Sequence, residues 1–325
     1  NVVNSLVTRF KNRVATEGGT FENQTALETF LGTITSTLST VLAALSPNAV
    51  KAGKLFSVIP NTAALDATVV RNTTATRVNS AGIIVSAAAN VARITYLTVG
   101  GEGFILDEGQ ATNLLTYSED FTKYSLTNQG TGIIPIITPA NSISPNGTLN
   151  ATRLRCGLNG GTTSNDRSYI RLSGLSGTSF LAAKSLYIKN NQSIEISLFI
   201  GINSTLDRIV IPANAVFTRY KVEGGVINSE FRIGLQGGSS NSNTIDIEIY
   251  AAQVEAGATI SSYIPSLLNA ATTRNKDDIT MVPPAGTVKI TTTFSDNTTQ
   301  VITSIPATFT LPEGLTKNVI FSNTL

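Results

Sequence analysis

Short runs of residues with high β propensity fill the middle of the chain, and turn-forming residues separate them. From Ile245 to Ile249 apolar and polar side chains alternate, which is the period-2 pattern of a strand with one buried face. Similar runs are Ile133–Ile137, Ser168–Leu172, Ser185–Lys189, Ile194–Ile200 and Phe231–Leu235, with turns at Gly160-Gly161, Asn190-Asn191 and Gly237-Gly238. Many short strands with such turns are typical of two stacked antiparallel sheets. The sequence therefore predicts a mainly β protein with a jelly-roll sandwich over residues 109–268.

Two unusual segments lie at the ends of this region. The first, Asn113–Phe121, reads N-L-L-T-Y-S-E-D-F, and the second, Tyr250–Pro265, reads Y-A-A-Q-V-E-A-G-A-T-I-S-S-Y-I-P. Together they resemble the two ends of a β-sandwich module in tail-fibre and other virion structural proteins of tailed bacteriophages. In that family the second segment reads G-A-Q-L-E-x-G-x-x-x-T-S-Y-I-P-T, followed by T-R. This chain has Ala251, Val254 and Ser261 at three of those positions, and it keeps the last pair as Thr273-Arg274.

Two earlier stretches extend the resemblance. Ala75–Ile84 matches an A-T-R-x-N-x-x-G-x-I run that precedes the module in many of these proteins, and Asn90–Tyr96 matches the N-V-x-R-x-x-Y run after it. The resemblance implies a structural signature, made of Asn113, Tyr117, Glu119, Phe121, Gln253, Glu255, Tyr263 and Pro265.

The signature strand carries two polar residues that we expect to act structurally. Gln253 and Glu255 are two positions apart, so they point to the same face of a strand. Because the resemblance places the ends of the module together, we predict that they bind backbone amides near Asn113–Tyr117. Glu119 and Asp120 are interpreted as turn and surface residues.

The N-terminal residues 1–48 are predicted to form a helical assembly region. A helix is expected from Asn23, a capping residue, to Ser46, just before Pro47. Its apolar positions follow heptad spacing, with Leu at a and mostly β-branched residues at d, which favours trimers or tetramers over dimers. We therefore predict a homotrimer, with packing onto another virion protein as the alternative. The oligomerisation residues are Leu27, Leu31, Ile34, Leu38, Val41 and Leu45.

Two further regions flank the predicted sandwich. Residues 49–108 contain short β-prone runs separated by Asn and Gly, which predicts an extended β-rich connector. Residues 269–325 contain four short β-prone runs, which predicts a small, separate C-terminal β domain. A similar tail follows the module in related phage sequences.

The composition excludes several kinds of chemistry. The chain has no His and a single Cys, Cys156, so Ser-His-Asp and Cys-His sites and Cys-based metal cages cannot form within it. A glycosidase needs only two carboxylates, but no spacing singles out such a pair. Asp277, Asp278 and Asp296 lack the regular spacing of a Ca²⁺ loop and are interpreted as turn residues. We expect a non-enzymatic protein with no cofactor and no metal, and Cys156 in the core.

Charge and hydropathy narrow the partners. The net charge is +2 over 325 residues, and without a basic stripe this argues against a nucleic-acid partner. No apolar run approaches the ~20 residues that span a bilayer, and no signal peptide is visible, so membrane insertion is not expected. The only Met is Met281, so either a longer precursor was cleaved or the sequence omits an N-terminal part.

The resemblance implies a structural component of a tailed-phage virion, located in a head or tail appendage as a fibre, spike or capsid decoration. Its expected partners are further copies of itself, other virion proteins and a host-surface glycan. The alternative is a secreted bacterial glycan-binding module or adhesin. Sugar recognition usually involves exposed aromatic rings, and the absence of Trp weakens the glycan-binding hypothesis for this chain. The candidate rings are Tyr117, Tyr124, Tyr169, Tyr187 and Tyr220.

Overall fold

A computed structural model describes residues 41–57, 66–175, 180–201, 207–227, 229–239 and 241–325, together with Thr25, Leu27 and Thr29. The chain forms two compact units. One unit consists of the described residues up to Gln110 together with Asn275–Leu325, and the other is Ala111–Arg274. Within the described part of the chain, no helix is long and apolar enough to cross a membrane.

Strands dominate both units, as the alternating sequence pattern predicts. In chain order they are β1 Val41–Lys51, β2 Lys54–Ser57, β3 Thr68–Val70, β4 Ala75–Val78, β5 Ile84–Ala87, β6 Ile94–Tyr96, β7 Gly103–Asp107, β8 Ala111–Asn113, β9 Ser125–Gln129, β10 Ile133–Ile143, β11 Leu149–Gly157, β12 Arg167–Ser173, β13 Phe180–Asn190, β14 Ile196–Gly201, β15 Arg208–Ile211, β16 Thr218–Ile227, β17 Glu230–Gln236, β18 Thr244–Ala256, β19 Thr272–Arg274, β20 Asp278–Met281, β21 Lys289–Phe294, β22 Thr299–Ile302, β23 Phe309–Thr310 and β24 Gly314–Ser322.

The unit Ala111–Arg274 is an antiparallel sandwich of two five-stranded sheets. The first sheet has the order β10-β11-β18-β13-β16, and the second has the order β15-β14-β17-β12-β9. Successive strands pass back and forth between the sheets, as in a jelly roll. The predicted mainly β sandwich is therefore confirmed. A short pair, β8 with β19, joins Ala111 to Arg274 and Asn113 to Thr272.

The core of the sandwich lies between the two sheets. Ile247 and Ile249 of β18 face Leu154 of β11 and Ile188 of β13 within it. Cys156 is buried in the same cluster, as predicted, and burial raises the pKa of its thiol to about 12. Alternate residues of each strand therefore point inward, and the residues between them form the outer face of each sheet.

The other unit is built around a sheet of seven strands. Its main order is β2-β1-β24-β21-β22, and β7 pairs with both β24 and β6. A three-stranded sheet, β23-β20-β3, and a hairpin, β4-β5, complete the unit. Leu45, Ile105, Ile290 and Phe321 are buried in its core.

The C-terminal region differs from the predicted separate domain 269–325. The last strand, β24, pairs with β1 through Leu45 and Val319 and with β7 through Ile105 and Thr316. Strands from the predicted connector 49–108 and from the tail thus share one sheet and one core. The reason is long-range pairing, which spacing along the sequence does not reveal.

The end of the predicted N-terminal helix is wrong from Val41 onward. Val41 and Leu45 lie in β1, where Ala43 and Leu45 pair with Phe321 and Val319. Ala43, Ala44 and Leu45 are all buried. Pairing with β24 therefore buries these apolar side chains in a strand, although the spacing of Val41 and Leu45 also fits a helix. Pro47 falls where the β1–β2 register shifts, a position that tolerates a missing donor. Leu27 is buried, and Leu31, Ile34 and Leu38 lie outside the described residues.

This unit contains a buried ion cluster of two arginines and two carboxylates. Asp277 accepts from Arg71 at 2.6 Å and also pairs with Arg93, and Arg93 contacts Glu108 at 2.8 Å. Both arginine side chains are fully buried. Asp277 is therefore the anion that compensates two buried cations, and its interpretation as a turn residue is wrong.

Candidate functional site

Asn113 joins the two ends of the sandwich unit. Its side-chain amide donates to the carbonyl oxygens of Ala252 (3.2 Å) and Ile264 (2.9 Å). Its carbonyl oxygen accepts from the backbone amides of Leu115 (3.1 Å) and Val254 (3.2 Å). The side chain is fully buried, so all of these bonds form away from water. Asn113 thus holds three segments of backbone together.

Gln253 and Glu255 point to the same side of β18, as predicted, and both are buried. Their predicted partners near Asn113–Tyr117 are wrong. Gln253 accepts from the amide of Ile264 at 2.7 Å and donates to Glu255 and to the carbonyl of Ser262. Glu255 accepts from the amide and hydroxyl of Ser261. Both residues therefore anchor the segment that follows their own strand, because that segment folds back over the outer face of β18.

Glu119 lies against two tyrosines rather than in an ordinary surface turn. It accepts hydrogen bonds from the hydroxyls of Tyr250 (3.0 Å) and Tyr263 (2.9 Å) and from Asn150 (3.3 Å). Tyr263 also shares a 2.7 Å hydrogen bond with Ser118. Burial, followed by the Glu119 charge, raises the pKa of both tyrosines well above its ordinary value. They therefore stay protonated and serve as donors.

The remaining signature residues complete the closure. Asp120 caps a short 3₁₀ turn, Phe121–Lys123, by accepting from Thr122, and Phe121 packs in the core. Tyr117 has φ 55°, and Pro265 is partly buried between Ile264 and Ser266. We call Asn113, Ser118, Glu119, Gln253, Glu255 and Tyr263 the closing network. It is a largely buried, hydrogen-bonded assembly, and every polar group named in it has a protein partner.

No group of three or more His, Cys, Asp or Glu residues that could hold a metal ion occurs in the described part of the chain. Asp296 accepts from the amide and hydroxyl of Thr298 (2.9 and 2.7 Å) in the β21–β22 turn. These hydrogen bonds lower the pKa of Asp296. Its interpretation as a turn residue is confirmed.

The five candidate tyrosines lie in different places. Tyr124 is buried in the core of the sandwich, and the partly buried Tyr220 packs against that core. Tyr169 is on the outer face of the second sheet but only 2% exposed. Tyr117 lies in the opening segment, with the Lys123 ammonium 5.9 Å from its ring centre. Tyr187 is partly exposed on the outer face of the first sheet.

The outer face of the first sheet combines Tyr187 with charged residues. Strand register places Tyr187 between Tyr250 and Arg219. It also places Glu248 of β18 between Lys189 of β13 and Arg153 of β11. The Arg219 guanidinium is 5.8 Å from the Tyr187 ring centre. We call Arg153, Tyr187, Lys189, Arg219, Asp246 and Glu248 the tyrosine face.

Ion pairs preorganise the tyrosine face. Arg153 binds Asp246 with two hydrogen bonds of 2.8 and 2.5 Å, which lower the pKa of Asp246. Lys189 lies 3.2 Å from Glu248. A partly exposed ring flanked by fixed donors and acceptors is suited to binding the apolar face and the hydroxyls of a sugar. The strand alternation of β13 could have located this face, because Ser185, Tyr187 and Lys189 are two positions apart.

Comparisons with known proteins find weak structural likeness. No family model and no curated protein matches the chain. A family 11 carbohydrate-binding module from Clostridium thermocellum, solved with a mixed-linked tetrasaccharide, is 12% identical, with TM-score 0.31 over 46% of this chain and 98% of that one. The enzymatically active domain of bacteriophage CBA120 tailspike protein 4 is 13% identical, with TM-score 0.26 over 45% of this chain and 21% of that one. A Cellulomonas fimi cellulose-binding domain gives 0.26 at 11% identity, over 46% of this chain and 97% of that one. Scores this low carry no argument about function.

Proposed function

We propose that this protein is a non-enzymatic structural component of a tailed-phage virion, a fibre, spike or capsid decoration, that also binds a host-surface glycan. The observation that carries the proposal is the closing network. The two sequence segments that resemble the phage module contribute residues 139 positions apart, Asn113 and Ala252, to one buried assembly. Such a network gives those segments a structural purpose. The complete absence of His from the sequence supports a non-enzymatic role.

The tyrosine face supports the glycan part of the proposal. On this face a partly exposed ring, Tyr187, lies among paired charges. Sugars bind proteins through ring contacts and multiple hydrogen bonds. The same observation favours the second candidate, a secreted bacterial glycan-binding module or adhesin, because that function needs the face but no virion.

Mass spectrometry of purified particles tests the virion role. We expect peptides of this chain in particles, and separation of heads from tails would locate it. Absence from purified particles, together with glycan binding, would favour the secreted adhesin.

The predicted homotrimer depends on Leu27, Leu31, Ile34 and Leu38, because Val41 and Leu45 belong to β1. Size-exclusion chromatography with light scattering tests it, and a strict monomer would contradict it.

A glycan array tests the adhesion role. We expect the full chain to bind a subset of glycans and Tyr187→Ala to lose that binding while melting close to the parent. Tyr117→Ala, which removes a partly exposed ring that lies beside Lys123 rather than beside Arg219, is the control and should bind normally. Unchanged binding by Tyr187→Ala would show that the tyrosine face is not the site.

A further inference from the structure

The outer face of the second sheet concentrates arginines. Register places Arg171 of β12 beside Arg232 of β17, and Arg208 of β15 beside Phe199 of β14. Arg167 occupies the same face two residues before Tyr169. Glu230 is the only acidic residue in the five strands of this sheet. We call Arg167, Arg171, Arg208 and Arg232 the arginine face. Its excess of positive charge exceeds the +2 of the whole chain.

The acidic residues next to these strands are already engaged or lie at the edge. Asp166, just before β12, accepts from Thr131 and Thr163. Asp207, just before β15, pairs inward with Lys184 at 2.7 Å. Glu195 precedes β14 and is exposed. The cations of the arginine face are therefore neutralised only in part.

One carboxylate serves two of the arginines. Arg171 contacts one oxygen of Glu230 at 3.1 Å, and Arg232 contacts the other. Each guanidinium has five N–H donors, so one shared carboxylate uses only part of the donors of Arg171 and Arg232, whose side chains are partly exposed. The Arg208 side chain is exposed and forms no hydrogen bond or ion pair with the described residues. The face thus retains unused donors as well as net charge.

An aromatic pair lies beneath these arginines. Tyr169 and Phe199 meet edge to face with ring centres 6.2 Å apart, and the Arg232 guanidinium lies 5.0 Å from the Tyr169 ring centre. Gly234 separates the two rings and adds no side chain between them. Stacking on an aromatic ring restricts the guanidinium, which reduces the conformational entropy lost when a ligand binds.

We propose that the arginine face binds an anionic polysaccharide through its carboxylate or phosphate groups. Planar guanidinium donors match both groups in bidentate geometry. Arg208 on β15 and Arg171 on β12 are three strands apart, roughly 14 Å between backbones, so a polymer with several charges fits better than a single ion. Nucleic acid fits less well, because Tyr169 and Phe199 are 2% and 1% exposed and cannot stack with bases. This inference rests on the proposed glycan adhesion. It specifies that the glycan is anionic and that it binds to the second sheet rather than to the tyrosine face.

The test measures binding of the full chain to polygalacturonate, poly(glycerol phosphate), neutral dextran and single-stranded DNA by interferometry at low and high salt. We expect the first two, or one of them, to bind and to weaken with salt, while dextran does not bind to this face. Arg208→Gln should weaken the binding about tenfold. Arg171→Lys, which keeps the charge but loses the fork, should also weaken it. Arg155→Gln is the matched control, an exposed arginine in the first sheet, and should bind normally.

Each other outcome overturns the inference in a distinguishable way. Loss of polyanion binding in Arg155→Gln but not in Arg208→Gln would assign binding to the first sheet and leave glycan adhesion intact. If the chain binds dextran alone and Tyr187→Ala abolishes this binding, the glycan site lies on the first sheet, and glycan adhesion stands without the arginine face. Equal affinity for DNA and polysaccharide would show a general polyanion surface. Failure of every glycan would overturn both the inference and the adhesion role, while particle mass spectrometry would still decide the virion role.

Discussion

The hydroxyl of Tyr263 donates to Glu119 at 2.9 Å, although the two residues are 144 positions apart in the chain. Glu119 lies in the opening segment of the sandwich unit, and Tyr263 lies in the segment that follows its last long strand. Their contact, together with the bonds of Asn113, ties the first and last parts of the unit to each other. The network is therefore expected to control the stability of the whole sandwich.

Removing the Glu119 carboxylate should destabilise the sandwich. Glu119→Ala removes the acceptor that the Tyr250 and Tyr263 hydroxyls share, although Tyr263 keeps a second partner, Ser118. We expect a loss of about 1–3 kcal/mol in the free energy of unfolding. Urea unfolding of the full chain measures it. Glu195→Ala, an exposed glutamate of the same unit, is the control and should change stability by less than about 0.5 kcal/mol. Equal effects of the two variants would contradict a structural role for Glu119.

Asn113→Asp should be more harmful at neutral pH than the small change in shape suggests. The new carboxylate would face the carbonyl oxygens of Ala252 and Ile264, which need donors. Because burial and acceptors disfavour its charged form, the folded-state pKa of the new Asp is raised. The variant should therefore lose least stability at about pH 4 and more as the pH rises. A pH-independent difference from the parent in thermal melts would rule this out.

Asp107 should make the other unit less stable as the pH rises. Burial and the neighbouring Asp277 raise the pKa of Asp107 from 3.8 to about 7, and one of its carboxyl oxygens has no hydrogen-bond partner among the described residues. A raised folded-state pKa adds stability that is complete below the unfolded-state pKa and is lost as the pH rises through about 7. Denaturant midpoints should fall between pH 4 and 8 in the parent and fall less in Asp107→Asn. Parallel pH profiles would exclude this contribution.

The buried Lys184–Asp207 pair should be stabilising only as a pair. The Lys184 Nζ and Asp207 Oδ1 atoms are 2.7 Å apart, and the two side chains are 0% and 1% exposed. Lys184→Met removes the ammonium that faces this buried carboxylate, and we expect a loss of about 3–5 kcal/mol in the free energy of unfolding. Lys184→Met combined with Asp207→Asn removes that charge and should recover more than half of the loss. A double variant as unstable as the single one would show that packing, not charge, is responsible.

The sequence by itself determined the kind of structure in the central region. Alternation from Ile245 to Ile249 is a local property of the strand, so it predicts β18 and its buried side without any knowledge of neighbours. The alternating stretch Ala151–Cys156 predicts the core position of Cys156 in the same way. The two signature segments also predicted that distant parts of the chain meet. Heptad spacing was less reliable, because Val41 and Leu45 fit a helical seam and a strand equally well.

Only the tertiary structure decided which strands are neighbours. Pairing of β7 with β24 and of β3 with β20 joins the predicted connector and tail in one unit. The fold-back of Ser261–Ile264 supplies the partners of Gln253 and Glu255. The same holds for the two outer faces, since Arg171 and Arg232 become adjacent only through the β12–β17 register. The physical reason is that alternation fixes which side of a strand faces the core. The choice of neighbouring strand depends on packing between residues far apart in sequence.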